Sequence, residues 1–220
     1  MAETASAPTI SDRSIAAWEI VSVTSSILIA EWLAGALFGT KFVLAIPVIL
    51  AFALMIVSHR LRGETLRDVG FRLDNLGGAV LVVAMPTIVA VILILFAGWI
   101  LGSLRLDLII SRPRYLLLPI WALAQQYVMQ GFINRRAQIV CVKGWQSILI
   151  VSVLFGLLHL PNTNLVLFTF FGGALWAAIY QRTPNLFALA LSQSILAGLL
   201  ALSLPVSWLT GLRVGFKYFG

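Results

Sequence analysis

Gly78–Leu101 reads GAVLVVAMPTIVAVILILFAGWIL, 24 residues without one charged side chain. About 20 apolar residues suffice for a helix to cross the hydrocarbon layer of a bilayer, so this run reads as a membrane span with Pro86 inside it. Working outward, the pattern repeats. Ile15–Phe38, Lys41–Val57, Leu116–Ile133, Trp145–Leu160, Leu165–Tyr180 and Leu186–Leu204 are further apolar runs divided by short polar stretches. The second run is short and holds Pro47, and the sixth holds Gly172-Gly173, small enough to let a neighbouring helix approach closely. The expected fold is all-α, a polytopic transmembrane helical bundle of about seven spans, within a range of roughly six to eight.

Composition leads to the same class. The chain is 60% hydrophobic over 220 residues, with 15 Lys and Arg against 8 Asp and Glu. Its mean hydropathy is +1.01. Soluble domains are roughly 45–50% apolar and about 25% charged, and a water-soluble globule lacks the polar cover for so much apolar surface. A soluble enzyme, a disordered tail and a secreted disulfide scaffold are excluded. Cys141 is the one cysteine, so an intrachain disulfide and a Cys-rich zinc site are excluded too. It reads as a small apolar filler.

The net charge of +7 would point to nucleic acid in a soluble protein. Here Arg and Lys gather in short loops, as the positive-inside rule requires, so lipid head groups rather than nucleic acid are the expected partners of that charge. Counting sides over seven spans puts the Arg-rich segment Ser58–Gly77 and the pair Arg135-Arg136 on the more basic face, together with the N-terminus. That face is expected to be cytoplasmic, in a bacterial inner membrane. Residues 1–14 are a polar tail without the basic region of a signal peptide. Residues 15–204 are expected to form a single transmembrane domain, and 205–220 an interfacial tail. Val69, Phe71 and Leu73 suit an interfacial piece lying on the membrane.

Polar residues inside apolar spans carry the functional information. Gln125, Gln126 and Gln130 occupy two turns of the fourth span, and the i,i+4 spacing of Gln126 and Gln130 stacks them on one helical face. An unpartnered primary amide in hydrocarbon costs roughly 4–8 kcal/mol, so these three must find partners, either as glue between helices or as the wall of a polar pocket. Phe155-Gly-Leu-Leu-His159 ends the fifth span just before Pro161. Ser192-Gln193-Ser194 sits in the seventh, suited to bonding across helices. Glu19 and Glu31 flank the first span; Glu31 precedes Trp32 and reads as an aromatic-belt position, without a catalytic role.

In order, these segments resemble the CPBP family, the CAAX prenyl protease and bacteriocin-processing intramembrane endopeptidases, also called the Abi family. Members carry Glu-Glu-x-x-x-Arg-Gly, then Phe-x-x-x-His, then His-x-x-x-Asn. Gln125-Gln126-Tyr-Val-Met-Gln130-Gly131 falls on the first motif and Phe155-Gly156-Leu-Leu-His159-Leu-Pro161-Asn162 on the second. Gln193 and Ala197 fall on the His and Asn of the third. Tyr180-Gln-Arg182-Thr-Pro-Asn185 and Leu66-Arg67-Asp68-Val69-Gly70-Phe71-Arg72 are similar to further family pieces, so the resemblance covers about residues 60–200.

The resemblance implies a glutamate acting as general base on water, with histidines and an asparagine positioning it. It marks Gln125, Gln126, Gln130, Phe155, His159 and Gln193 as the positions of the catalytic motifs. In this chain both glutamates are glutamine, the arginine is Gln130 and the second histidine is Gln193. An amide cannot take a proton at neutral pH, so the glutamate mechanism cannot run. His159 alone is a poor zinc site, and neither metal nor cofactor is expected.

The leading expectation is a CAAX-protease-like membrane protein without glutamate-based peptidase activity. Its amide-lined cavity of Gln125, Gln126, Gln130, His159 and Gln193 would bind a peptide segment, a lipid or another uncharged ligand, or serve assembly with a membrane partner. The alternative is an active CAAX-type endopeptidase cutting a transmembrane or prenylated peptide through a modified site. His159 would be the base there, with Ser192 or Ser194 as a nucleophile lacking motif support. A small transporter is the other class, but the sequence shows no inverted repeat and no paired ionisable relay.

Overall fold

The computed structural model describes residues 8–34, 36, 41–105 and 116–220. The first seven residues of the tail, Phe38 at the end of the first expected span, and the loop residues Arg112 and Arg114 lie outside the described residues. The described chain is helical, without strands. Helix α1, Ile10–Leu28, runs on as a π-helical segment, Ile29–Ala34. Next come α2, Lys41–Leu61, the short α3, Leu66–Val69, and α4, Leu76–Ile100. Helix α5, Leu118–Gln126, continues through a π-helical segment, Tyr127–Asn134, into α6, Arg135–Cys141. Helices α7, Trp145–Leu157, α8, Thr163–Arg182, and α9, Leu186–Ser203, complete the bundle. The tail folds as α10, Val206–Leu209, and two 3₁₀ turns, Thr210–Leu212 and Gly215–Tyr218.

Ile10–Leu33, Leu76–Ile100, Thr163–Arg182 and Leu186–Ser203 are long and apolar enough to cross a membrane, while Ala45–Leu61 and Trp145–Leu157 are shorter apolar helices. Lipid is the natural contact for their outer faces: Leu81, Met85, Trp99 and Phe171 are large apolar side chains that stand exposed. Inside, Met55, Met129, Phe132, Phe155, Trp176, Leu186 and Leu189 form one continuous core. α7 packs along α8, and α9 is wedged between α4 and α5. Gly173 makes the first pairing close: a Cβ there would meet Phe155 Cδ1 at 3.1 Å and Ser152 Cα at 3.4 Å.

The fourth span departs from its expected end. It does not stop at Asn134 but passes through Arg135 and Arg136 to Cys141. Arg136 is fully buried there, ringed by carboxylates. Its Nε lies 2.9 Å from Glu19 Oε2 and its Nη2 lies 2.8 Å from Glu64 Oε2. Ser58 Oγ donates to Glu19 Oε1 at 2.6 Å and accepts from Arg136 Nη2 at 3.0 Å. Arg62 pairs with Glu19, and Arg135 with Glu64. A buried cation is tolerated when carboxylates and hydrogen bonds replace its water, which is why a helix can carry two arginines past its expected boundary. The cluster holds α1, the end of α2, the loop before α3, and α6 together at one end of the bundle.

At that same end α3 begins with a capping box: Asp68 N donates to Thr65 Oγ1 at 3.2 Å and Thr65 N donates to Asp68 Oδ2 at 2.9 Å. The α8–α9 turn locks onto it. Tyr180 Oη donates to Val69 O at 2.6 Å, Leu186 N to Gly70 O at 2.8 Å, and Asn185 Nδ2 to Arg72 O at 2.8 Å. Gly131 opens the room for Val69, whose Cγ1 would lie 2.8 Å from a Cβ there.

Candidate functional site

Two helices supply the amides. α5 carries Gln125 and Gln126 and α9 carries Gln193. Gln126 Nε2 donates to Gln193 Oε1 at 2.7 Å, and Gln193 Nε2 donates to Gln125 Oε1. Three carboxamides therefore form a relay from the fourth span to the seventh. Each glutamine carries a donating amide and an accepting carbonyl at a fixed separation, so the middle member serves both neighbours without a charge. Gln126 and Gln193 are buried.

Gln130 goes elsewhere. Its Oε1 accepts from Asn134 Nδ2 at 2.8 Å, and Asn134 Oδ1 accepts from Gln138 Nε2 at 3.1 Å and Gln181 Nε2 at 3.0 Å. Gln181 Nε2 also donates to Ser147 Oγ at 2.9 Å. The sequence reading set Gln126 and Gln130 on one face, as ideal α-geometry would. The π-helical turn that starts at Tyr127 widens the helix and shifts its register, so the two amides take different partners. Gln126 Oε1 and Gln130 Nε2 are left buried without hydrogen-bond partners among the described residues.

A cavity of about 820 Å³ lies on the other side of the relay. Gln125, Phe155, His159 and Gln193 line it, as does Ala197, while Gln126 and Gln130 are not among its lining residues. Most of its wall is apolar, with Phe52, Leu93, Trp121, Phe168 and Trp176. Trp121 and Leu93, both large apolar side chains of its wall, are exposed rather than packed in the core.

His159 enters from the end of α7. Its Nδ1 donates to Phe155 O at 2.7 Å. A carbonyl can only accept, so in the neutral ring Nδ1 holds the hydrogen and Nε2 carries the lone pair. The Phe155 ring meets the imidazole edge-on, centroids 4.9 Å apart, and also touches Trp176. Asn162, just past His159, caps α8 through Leu165 N and donates to Leu209 O at 2.6 Å, tying the tail to this corner. Ser192 Oγ is held by Thr87 Oγ1 at 2.7 Å and Trp176 Nε1 at 3.2 Å, and Ser194 Oγ donates to Ala190 O at 2.6 Å. Neither serine lines the cavity.

Two buried amides are not among the candidates of the sequence. Asn134 and Gln181 are buried amides whose importance shows only once the π-helical segment Tyr127–Asn134 and α8 are side by side. Glu31, read as an interfacial residue, lines the cavity. Among the described residues no group of three His, Cys, Asp or Glu side chains converges to hold a metal ion.

Residues 113–199 match the family model described as type II CAAX prenyl endopeptidase Rce1-like. No curated protein and no solved structure matches the chain. The matched segment contains Gln125, Gln126, Gln130, Phe155, His159 and Gln193, and reaches from the start of α5 into the last turns of α9. Four of the chain's helices are long and apolar enough to cross a membrane, and over residues 113–199, the helices that carry the amide relay, the chain is similar to type II CAAX prenyl endopeptidases of the Rce1-like kind.

Proposed function

We propose that this protein binds a membrane-embedded ligand, a peptide segment or a lipid, without hydrolysing it. The observation that carries the reading is the relay itself. Where the resemblance expects ionisable groups, Gln193 stands hydrogen-bonded between Gln125 and Gln126. Such a relay is neutral and has no member able to take a proton from water. It supports a rigid, neutral wall beside a mostly apolar cavity, which suits holding a ligand better than cutting one. The ligand would enter from the lipid, and the protein would act as a binding or assembly partner in the membrane.

A second reading is hydrolysis of a CAAX-type peptide through His159, favoured by the lone pair on its Nε2 in the cavity wall. The two readings separate in one assay. The protein in nanodiscs is given prenylated CAAX peptides and model transmembrane peptides. No cleavage is expected from the wild type. Cleavage abolished by His159→Ala would overturn the binding reading. The triple variant Gln125→Glu, Gln126→Glu, Gln130→Arg restores the charges of the resembling motif, and cleavage gained there would show that the cavity admits the peptide.

The setting proposed is a bacterial inner membrane, with the N-terminus cytoplasmic. Support comes from the ion cluster, which gathers Glu19, Arg62, Glu64, Arg135 and Arg136 on one end of the bundle, the end that the positive-inside rule assigns to the cytoplasm. Labelling of Cys141 by a membrane-impermeant maleimide only after the inner face is exposed would agree; labelling from outside in intact cells would reverse the orientation.

A further inference from the structure

Glu31 changes the chemistry expected of the cavity. Twelve residues separate it from Glu19 on one continuous helical rod, about 18 Å at 1.5 Å per residue. It therefore lies toward the end of the bundle opposite the ion cluster, the end where α7 finishes at Leu157 and the tail folds back. The tail packs on it: a Cβ at Gly215 would stand 2.7 Å from Glu31 O, and Gly215 N donates to Leu160 O at 2.8 Å. Glu31 Oε2 is buried with no hydrogen-bond partner among the described residues. Lys217, on the tail, is a cation whose field reaches Glu31, yet it does not bond that oxygen.

The described residues that line the cavity include two titratable side chains, Glu31 and His159. Glu31 presents a buried acceptor without a matching donor, its Oε2, and the His159 ring, whose Nδ1 is spent on Phe155 O, turns no hydrogen of its own toward that oxygen when neutral. The rest of the wall is largely aliphatic and aromatic. An unmatched carboxylate oxygen in an apolar wall calls for a ligand that donates hydrogen bonds and carries positive charge. The apolar remainder calls for a hydrocarbon chain. The position near one end of the bundle puts the charged part at membrane–water depth and the chain within the hydrocarbon layer.

We propose that the cavity takes a long-chain amphiphile bearing a primary ammonium group, with the ammonium against the Glu31 carboxylate and the chain along Phe52, Leu93, Trp121 and Phe168. This deepens the binding reading of the previous section and rests on it.

The test uses the full protein in phosphatidylcholine nanodiscs, with the emission of its tryptophans, among them the cavity residues Trp121, Trp176 and Trp208, as the readout. Dodecylamine and dodecanol differ only in the head. The amine is expected to bind at least about tenfold tighter, the factor a hydrogen bond to a charged group supplies. Glu31→Gln keeps the shape and removes the charge, so the preference is expected to vanish there while both ligands still bind. Leu175→Trp fills the cavity and should abolish binding of both. Equal affinity in the wild type, or a preference that survives Glu31→Gln, overturns the ammonium assignment alone. Binding of neither ligand, or binding unchanged by Leu175→Trp, overturns the cavity reading along with it. Competition by lysophosphatidylethanolamine would assign the ammonium to a lipid head group; binding of dodecylamine without that competition would assign it to a free long-chain amine.

Discussion

Gln126 and Gln193, 67 positions apart in the chain, share a hydrogen bond of 2.7 Å inside the bundle. It joins α5 to α9 at the point where Gln193 also reaches Gln125. Gln193→Leu would strand a donor on Gln126 and an acceptor on Gln125. Hydrogen bonds between membrane helices measure roughly 0.6–2 kcal/mol, and orphaned buried groups add to that. A loss of about 1–3 kcal/mol is expected on unfolding in mixed micelles. The double variant Gln126→Leu, Gln193→Leu should lose less than the sum of its singles, because each single already breaks the same bond. Strict additivity would mean that the bond contributes nothing.

Among the described residues Arg136 is the largest side chain that is fully buried. Removing it leaves Glu19 and Glu64 facing each other without their shared cation. Breaking a buried ion pair from one side costs roughly 3–5 kcal/mol, so Arg136→Met is expected to be among the most destabilising single changes in the molecule. Adding Glu19→Gln and Glu64→Gln to it should recover part of the loss. Urea or SDS titrations of the single and triple variants decide the point. A triple variant less stable than Arg136→Met would show that the carboxylates are held by something other than the arginine.

How much of this was legible in the sequence follows from range. The all-α bundle could be read because the length and apolarity of each span are local properties. The starts of α7 and α9, Trp145 and Leu186, matched for the same reason, with Gly144 and Asn185 at their N-termini. The end of the fourth span could not be read so. Arg135 and Arg136 look like a loop until Glu19 and Glu64 arrive from elsewhere in the chain. The residues of the amide relay were identifiable as polar groups needing partners. Which of them would meet was not, because the π-helical segment Tyr127–Asn134 shifts the register by an amount that no side-chain spacing announces. That Glu31 lines the cavity was not legible, because a carboxylate next to a tryptophan looks the same in sequence whether it faces water or a cavity.

Glu64 makes stability depend on pH. Burial works against its ionisation, but hydrogen bonds from His59, Arg136 and Arg135 outweigh burial and hold its carboxyl well below the usual carboxylate range. The folded state therefore binds fewer protons here than the unfolded state. The contribution is complete above the ordinary glutamate value, about 4.3, and is lost as pH falls below it. Denaturation curves from pH 7 down to pH 3 should show a falling stability whose slope is reduced in Glu64→Gln. An unchanged slope would remove Glu64 from the account.

Gly173 and Gly131 should differ in what their replacement disturbs, although both replace a hydrogen by a methyl group. At Gly173 a Cβ would meet Phe155 at 3.1 Å, and Phe155 both accepts from His159 and stacks edge-on against it. Overpacking of this kind costs roughly 1–3 kcal/mol, and here the strain passes to a cavity wall. At Gly131 the Cβ would press Val69 at 2.8 Å, on α3, which Tyr180 and Leu186 tie to the α8–α9 turn. Gly131→Ala is therefore expected to loosen the interfacial segment and raise hydrogen exchange in 66–70 while leaving ligand binding intact. Gly173→Ala should weaken amphiphile binding with exchange in 66–70 unchanged. Both readouts moving in either variant would mean that the cavity wall and the interfacial segment are one mechanical unit rather than two.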